Sequence, residues 1–416
     1  MLKLGNSVEF DNSRCIKCGK CAFRCKSNCV GHIDVNVKDK VWNETSNPCI
    51  FCGQCTLVCP VNAIREQNSL DDVKKLLQDK TKTIIAQAAP SARTVIGEKK
   101  IYSALRKLGF TKVFDVNFGA NITTVVEAEE LVERLQTPNS VLPMFSSCCP
   151  AWVSYVCQYT PELKPHLTTA RSPNLHAGFA YKTWWADKVG INPKDIKVVS
   201  IMPCTAKKDE IKRENAKLPN GEPVIDYVLT VREFQRMLKE NNIEQDELED
   251  GVSDTLGEYT GDANLYGVTG GVTESALRTA YWKLTGKDLD NVEFQQVRPD
   301  MNGLKSIEIE VAGKKLKLAV VATVNNFNKL LPTLKEYHYV EVMNCVGGCI
   351  GGGGMPLLAN KPAEQIQQLE ERKNKLFEMD KEKKKRMSHK NEFVIEYMEW
   401  LKHREELKHQ ALHNEF

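Results

Sequence analysis

The sequence predicts an α/β protein preceded by a small α+β ferredoxin-like domain, and three patterns support this prediction. Nine of the fifteen cysteines lie within residues 1–66. After them, short apolar runs alternate with helical patterns, which is typical of domains built on buried, largely parallel sheets. Beyond Pro356 the chain becomes rich in charged helical segments. We therefore expect a ferredoxin-like domain over residues 1–66, an α/β domain over residues 67–356 and a helical segment over residues 357–416.

The cysteines near the N-terminus form two runs of four, each with the spacing Cys-x2-Cys-x2-Cys-x3-Cys of a two-cluster ferredoxin. In such proteins the fourth cysteine of each run binds the other cluster. The predicted ligands of one 4Fe-4S cluster are Cys15, Cys18, Cys21 and Cys59, and those of the second are Cys49, Cys52, Cys55 and Cys25. A zinc ribbon or a set of buried thiols is the alternative. Cys29 is not required by the pattern and is interpreted as a small, partly buried residue.

Composition and charge restrict the class of protein. The formal charge is +3, from 57 basic and 54 acidic residues, so no global field favours nucleic acid or an anionic membrane. No run approaches the roughly 18 to 20 apolar residues of a membrane span, and the N-terminus lacks an apolar signal core. Cysteines in tight clusters, in a long chain without a signal peptide, favour iron-sulfur ligation over disulfides. We expect a cytoplasmic protein without nucleic-acid or membrane partners.

Periodicity and turn residues predict the elements of the α/β part. Acidic residues 244–250 are interpreted as a solvated loop. The basic run Lys381–Arg386 is interpreted as a solvated helix face, with docking of an acidic electron carrier as the lesser alternative. We expect helices at residues 68–77, 100–108, 124–135 and 231–238, and strands at residues 82–90, 112–116, 140–145, 196–202 and 317–324, the first of them ending in a loop.

Six glycines surround Cys345 and Cys349 near the end of the α/β part. Glycine permits positive φ and close approach, so this segment predicts a backbone wrapped around a bulky, sulfur-bound group. Two further cysteine motifs, Cys148-Cys149 and Cys204, follow predicted strands, where loops build sites in α/β folds. These cysteines are candidates for the missing ligands if the fold brings the loops together. Cys157 has no assigned role.

Three segments resemble the signature motifs of iron-only (FeFe) hydrogenases. With the ferredoxin-like start and a tail similar to the small-subunit segment of that family, the resemblance covers nearly the whole chain. It implies a catalytic domain of two α/β lobes around mainly parallel sheets. The implied activity is reversible reduction of protons to dihydrogen with electrons from a ferredoxin or flavodoxin-like carrier. The segments are Phe145-Ser-Ser-Cys148-Cys149-Pro150-Ala-Trp152, Met202-Pro-Cys204-Thr-Ala-Lys207-Lys-Asp-Glu210 and Glu341-Val-Met-Asn-Cys345-Val-Gly-Gly-Cys349.

The resemblance implies a six-iron H-cluster, in which a 4Fe-4S cubane is joined to a di-iron unit carrying carbon monoxide, cyanide and a bridging azadithiolate. By position, the cubane ligands are Cys149, Cys204, Cys345 and Cys349, and Cys349 also bridges to the di-iron unit. Cys148 is then the proton donor beside the bridging amine, with a packing thiol as the alternative. H-cluster maturation proteins are implied as partners, because iron and sulfide alone do not make the di-iron unit.

A proton path is also implied. Glu127, Glu130 and Arg134 occupy positions i, i+3 and i+7 of one predicted helix face, a pattern that by itself indicates an exposed salt-bridge stripe. By similarity to the family, the two carboxylates belong to the proton path and Arg134 is its outer residue. Thr168 stands where the family often has serine, and its hydroxyl can both donate and accept.

Three residues are expected to contact the di-iron unit. Lys207 matches the family lysine that donates a hydrogen bond to a cyanide ligand. Pro203 and Met343 match apolar positions that limit the access of water.

Two other functions remain open from the sequence. Non-catalytic iron-sulfur assembly proteins are related to this family, but they typically lack the doubled cysteine and the full glycine-rich motif, both of which occur here. A hydrogen sensor or an uptake module of a larger complex is the other alternative. The sequence shows no sensory domain, and the 14 residues before Cys15 are too few for a further cluster domain.

Overall fold

A computed structural model describes residues 2–4, 7–25, 27, 48–298, 303–358 and 361–416. Cys29, and with it the interpretation of its burial, lies outside the described residues. The strands of the described part are β1 (Leu2–Leu4), β2 (Val8–Phe10), β3 (Ile64–Glu66), β4 (Thr83–Ala88), β5 (Lys112–Asp115), β6 (Met144–Phe145), β7 (Ile196–Met202), β8 (Tyr227–Thr230), β9 (Leu304–Val311), β10 (Lys314–Ala322) and β11 (Tyr339–Met343).

The α-helices of the same residues alternate with these strands and then continue alone to the C-terminus. None of them is long and apolar enough to cross a membrane. They are α1 (Lys20–Arg24), α2 (Leu70–Gln78), α3 (Pro90–Ile96), α4 (Lys100–Lys107), α5 (Val116–Gln136), α6 (Pro150–Tyr159), α7 (Pro173–Ala180), α8 (Ala186–Val189), α9 (Ala206–Glu210), α10 (Val231–Glu240), α11 (Gly271–Thr285), α12 (Val324–Leu330), α13 (Pro362–Glu382), α14 (Glu392–Leu401) and α15 (Glu405–Leu412).

The strands form three sheets, which confirm the predicted fold class. The ferredoxin-like part has a small antiparallel sheet in the order β1-β2-β3. One α/β lobe has an entirely parallel sheet, β5-β4-β7-β8. The other lobe has the sheet β6-β11-β10-β9, in which only the β10/β9 pair is antiparallel. Side chains of β4 and β7 are buried on both faces of the sheet, because helices cover each side.

Most predicted elements are present, but three boundaries differ for identifiable reasons. The helix expected at residues 124–135 begins at Val116, because the Asp115 carboxylate caps it by accepting the N–H of Asn117 at 2.9 Å. Pro90 begins a helix and not a loop, since proline suits the first turn. Of residues 140–145, only the last two form a strand, which starts after Pro143, a residue without an N–H for the ladder.

The C-terminal helices pack against the α/β lobes through buried charges. The Asp380 carboxylate, at the end of α13, accepts from both Arg278 (2.9 Å) and Arg386 (2.6 Å). Arg386 also lies 3.5 Å from Glu293. The interpretation of Lys381–Arg386 as a solvated face is therefore wrong for Arg386, because a buried carboxylate requires cationic partners.

Helices α5 and α7 pack closely at Gly119, and this contact provides a test of the fold. A Cβ atom at Gly119 would lie 2.0 Å from the carbonyl oxygen of Pro173. We expect Gly119→Ala to force the helices apart and to reduce stability by about 1–3 kcal/mol. The thermal unfolding midpoint of the purified protein measures this loss. Glu133→Ala, at an exposed position of the same helix, is the matched control. An unchanged midpoint for Gly119→Ala would contradict the packing.

Candidate active site

The carboxyl ends of strands from both α/β lobes meet around one cavity of about 750 Å³. Strand β6 leads into Cys148 and Cys149, β7 leads into Pro203 and Cys204, and β11 ends at Met343. All these residues line the cavity, together with Lys207, Cys345 and Cys349. Parallel strands place their carboxyl ends at one edge of a sheet, so three distant motifs reach a single site.

The thiols in this cavity are close enough to affect one another electrostatically. Burial raises the pKa of Cys204 to about 12, and the neighbouring Cys149 adds to this rise while Lys207 opposes it. Burial also raises the pKa of Cys345 well above its ordinary value, and repulsion from Cys204, Cys52 and Cys149 raises it further. Thiolates gathered in this way repel each other unless a positively charged group binds them.

The donor set of the cavity suits an iron-sulfur cluster, because five cysteine thiols line it and thiolate is the usual ligand of such clusters. A 4Fe-4S cubane takes four cysteines, each on a different iron, so its ligand sulfurs stand apart. The cavity also holds polar atoms that need partners: both side-chain heteroatoms of Asn344 and the Ser91 hydroxyl are buried without one among the described residues. The residues present therefore fit a large iron-sulfur group.

The glycines of the third motif bring its backbone against two other loops. A Cβ at Gly352 would lie 2.2 Å from the Pro203 carbonyl oxygen, and one at Gly353 would lie 2.1 Å from that of Cys52. The sequence interpretation assigned the glycines to the bound group. In the structure these two are required for contact between protein loops, one of which belongs to the ferredoxin-like part.

The cysteine runs of the ferredoxin-like part lie near the sheet β1-β2-β3. The four thiols predicted for the first cluster line one small cavity. Burial raises the pKa of Cys21 to about 11, and the nearby Cys15 and Cys59 raise it further. In the second set, the Cys25 sulfur lies 3.6 Å from the Ser27 hydroxyl. Cys52 of the same set is close enough to influence the pKa of Cys345, so this site neighbours the large cavity.

Gln54 joins the second ferredoxin site to the large cavity. Its side chain is buried, and Nε2 donates to the carbonyl of Gly351 at 2.9 Å and to the sulfur of Cys345 at 3.4 Å. Sequence reasoning did not identify Gln54, because it lies between Cys52 and Cys55, where the spacing pattern constrains only the cysteines. A side-chain amide thus connects the two parts of the protein at a predicted ligand.

Lys207 is held at the cavity wall by an ion pair. Its Nζ lies 2.9 Å from both carboxylate oxygens of Glu210 and donates to the Cys148 carbonyl at 3.3 Å. Glu210 also accepts from Asn174 at 3.3 Å. Glu210 belongs to the same motif as Lys207, and its i+3 position relative to Lys207 is the local signal that indicates a pair on helix α9. The ammonium is thereby fixed where it borders the cavity.

Cys148 and Glu127 are both buried next to the cavity. Burial raises the pKa of the Cys148 thiol well above its ordinary value, and the Glu127 carboxylate raises it further. Burial also raises the pKa of Glu127 to about 8. The hydrogen bond that Tyr339 donates to Oε1 of Glu127 at 2.7 Å acts in the opposite direction and lowers this pKa. The pattern-only interpretation of an exposed stripe is therefore wrong for Glu127. Tyr339 carries no sequence signal that would have indicated this contact.

Glu130 lies further from the cavity and has several partners. Its Oε1 pairs with Arg134 at 2.6 Å. Its Oε2 accepts from the Thr168 hydroxyl at 2.7 Å and from the N–H and hydroxyl of Thr169, each at 2.9 Å. The described residues show no hydrogen bond from Thr168 to Glu127, whose Oε2 has no partner among them. The expected path residues are adjacent, but one step between the two carboxylates is not bridged by protein.

Comparison with known proteins identifies the class to which this fold and site belong. Residues 82–353 match the family described as iron only hydrogenase large subunit, C-terminal domain, and residues 8–65 match the 4Fe-4S dicluster domain. The chain belongs to the iron-only hydrogenase family.

Particular relatives agree with this assignment. The chain is 39% identical over 414 residues to iron hydrogenase 1 of Clostridium pasteurianum, covering 94% of this chain and 72% of that protein. A solved structure of [FeFe]-hydrogenase HydA1 from Chlamydomonas reinhardtii superposes with a TM-score of 0.73 at 31% identity, covering 84% of this chain and 99% of that one.

The assembly-protein alternative is less well supported. Cytosolic iron-sulfur assembly component 3 of Mus musculus is only 29% identical over 328 residues, covering 72% of this chain. The protein is an FeFe hydrogenase, and its cofactors are two 4Fe-4S clusters in the N-terminal part and an H-cluster in the catalytic part.

The contact of Gln54 with a predicted cluster ligand leads to a test of its electronic role. Gln54→Leu removes the N–H that reaches the Cys345 sulfur. We expect the reduction potential of the cubane to shift to more negative values, because hydrogen bonds to ligand sulfurs favour the reduced cluster. A redox titration followed by electron paramagnetic resonance measures the shift. Gln235→Leu, which removes an amide that hydrogen-bonds Gln245 and, among the described residues, no cysteine, is the control, and an unchanged potential in Gln54→Leu would contradict the prediction.

Proposed function

We propose that this enzyme interconverts protons and dihydrogen using Cys148 as the proton donor, with electrons delivered through the N-terminal clusters. The observation that carries this proposal is the burial of the Cys148 thiol beside Glu127, at a cavity lined by four further cysteines. Burial keeps the Cys148 thiol protonated, so it has a proton to donate to a basic group in the cavity, and the neighbouring Glu127 carboxyl can replace that proton after each transfer.

Each group at the cavity has a separate task. The H-cluster, when bound, supplies the redox chemistry of dihydrogen. Cys149, Cys204, Cys345 and Cys349, which line the cavity, would hold its cubane, and by similarity to the family Cys349 would also bind the di-iron unit. Lys207, fixed by Glu210 at the cavity wall, would donate a hydrogen bond to an anionic ligand of that unit. Pro203 and Met343 are buried at the cavity and would limit the access of water to the reacting end.

Protons move inward from Glu130 to Glu127 and then to Cys148. Thr168 hydrogen-bonds Glu130, and a bridging water or a rotation of Thr168 supplies the step to Glu127. Arg134 positions Glu130 by their ion pair. Arginine does not release a proton in proteins, so Arg134 does not itself carry protons. The pKa of Glu127 near 8 allows this buried carboxyl to gain and lose a proton under physiological conditions.

Substitution of Cys148 tests the proton-donor role. We expect Cys148→Ala to abolish hydrogen evolution from reduced viologen while iron content stays near the wild-type value, because the residue is assigned no iron. Infrared bands of bound carbon monoxide and cyanide show whether the H-cluster is present in both proteins. Cys157→Ala is a control, since that cysteine has no assigned role. Full turnover by Cys148→Ala would refute the relay, and an absence of these bands in the matured wild type would contradict the function itself.

The electron carrier is proposed to dock at the loop around the first cluster. Residues 12–25 contain four basic and no acidic residues. The predicted ligand Cys18 is exposed there, and so are the apolar side chains of Ile16 and Phe23, at 60% and 94%. An exposed apolar pair within a basic surface complements a small acidic protein such as a ferredoxin or flavodoxin. In the competing run Lys381–Arg386, Arg386 is instead paired with acids of the same chain.

A charge reversal distinguishes the two surfaces. We expect Lys20→Glu to raise the KM for a reduced acidic two-cluster ferredoxin severalfold and to weaken its salt dependence, because an attractive charge becomes repulsive. Turnover with viologen is expected to stay near the wild-type rate. Lys384→Glu is the matched reversal on the C-terminal run. A larger rise in KM for Lys384→Glu than for Lys20→Glu would place the docking surface there.

Maturation proteins and the carrier remain the proposed partners. The domain limits at residues 66 and 356 and the cytoplasmic location stay predictions of the sequence.

A further inference from the structure

The C-terminal tail reaches the outer end of the proposed proton path. His413, directly after helix α15, places its Nδ1 at 2.8 Å from the hydroxyl of Thr169. The N–H of Asn414 donates to the Thr169 carbonyl at 2.6 Å, and His413 forms an antiparallel bridge with Ala170. Backbone and side-chain contacts therefore hold this imidazole beside the loop that binds Glu130.

The hydrogen bonds have a direction that suits inward proton transfer. The Thr169 hydroxyl donates to Oε2 of Glu130 at 2.9 Å. Because the Thr169 hydroxyl has one proton and donates it to Glu130, its oxygen accepts the hydrogen bond from Nδ1–H of His413. Arg134 contacts Glu130 on the other carboxylate oxygen but keeps its proton. Imidazole, by contrast, gains and loses protons near neutral pH.

We infer that His413 delivers protons to Glu130 through Thr169, as the outer relay residue of this hydrogenase. The inference rests on the role of Glu130 in the proposed function. A solvent proton binds Nε2 of the imidazole, and the Nδ1 proton passes to the Thr169 oxygen as the Thr169 proton passes to the ionised Glu130. The ring is left neutral with its proton on Nε2. Rotation of the partly exposed ring then resets the relay.

The surroundings of His413 are compatible with this cycle. Its ring stacks on that of exposed His409, with centroids 5.5 Å apart, so solvent lies close by. Burial lowers the pKa of His413, and carboxylates on α5 oppose this effect. The imidazole is therefore predominantly neutral at neutral pH and is protonated transiently. The charged and titratable groups facing it are Glu129 and Glu130 on α5, Lys408 and His409 on α15, and His176 on α7.

Two substitutions separate a relay from a structural contact. His413→Gln keeps a side chain able to hydrogen-bond Thr169 but cannot titrate, whereas His413→Ala leaves space for a free imidazole. In weakly buffered solution we expect both variants to evolve hydrogen from reduced viologen at least about tenfold more slowly than the wild type. Added imidazole should restore His413→Ala, and a series of substituted imidazoles should restore it to extents that follow their pKa. His403→Ala, an exposed histidine of the same segment, is the control.

Glu130→Gln, assayed in parallel, separates this inference from the function on which it rests. If Glu130→Gln is inactive while both His413 variants turn over at the wild-type rate, His413 is not the relay and the inner path stands. If only His413→Gln turns over at the wild-type rate, His413 is a structural contact and the inference is overturned. The same holds if His413→Ala is slow and no imidazole restores its rate. If Glu130→Gln is fully active, the proposed proton path fails together with its outer relay.

Discussion

The repulsion that buried thiolates exert on one another is the constraint on which the rest of this structure depends. Cys149, Cys204, Cys345 and Cys349 come from three loops, and each of the last three has its pKa raised by burial and by its neighbours. As thiolates these side chains are unfavourable together unless a positively charged group binds them. Two α/β lobes are needed to assemble it, because no single loop supplies all four sulfurs. The cavity is therefore a product of the fold and a requirement of the cofactor.

In the proposed function, electrons and protons reach this cavity through different loops. On the electron side, Gln54 and Gly353 tie the ferredoxin-like part to the Cys345 loop, so two clusters are held next to each other by direct contacts. On the proton side, Glu127 on α5 lies beside Cys148 at the end of β6. Separate loops allow hydrogen bonding around the cubane and the acidity of the proton path to be set independently. This separation is useful in an enzyme in which electrons and protons combine at one bound cofactor.

Burial determines which of the acidic residues on α5 can act. Glu127 and Glu130 are one turn apart, yet their surroundings differ. Glu127 is wholly buried with one donor, Tyr339, and its pKa rises to about 8. Glu130 has an arginine and two threonines as partners. The helix supplies only the spacing; the neighbours supply the chemistry. The same applies to Lys207, whose position at the cavity depends on Glu210.

The sequence by itself determined the fold class, the family and the candidate ligands, because these depend on local spacing: cysteine runs, strand-helix alternation and three short motifs. It also determined the helix face shared by Glu127 and Glu130. Only the tertiary structure decided which distant groups complete these local patterns. Gln54 contacts a predicted cysteine ligand, Tyr339 a buried carboxyl and His413 the hydroxyl of Thr169, across 291, 212 and 244 residues respectively. Contacts over such separations follow from how lobes and tail pack, and packing leaves no periodic signal in the chain.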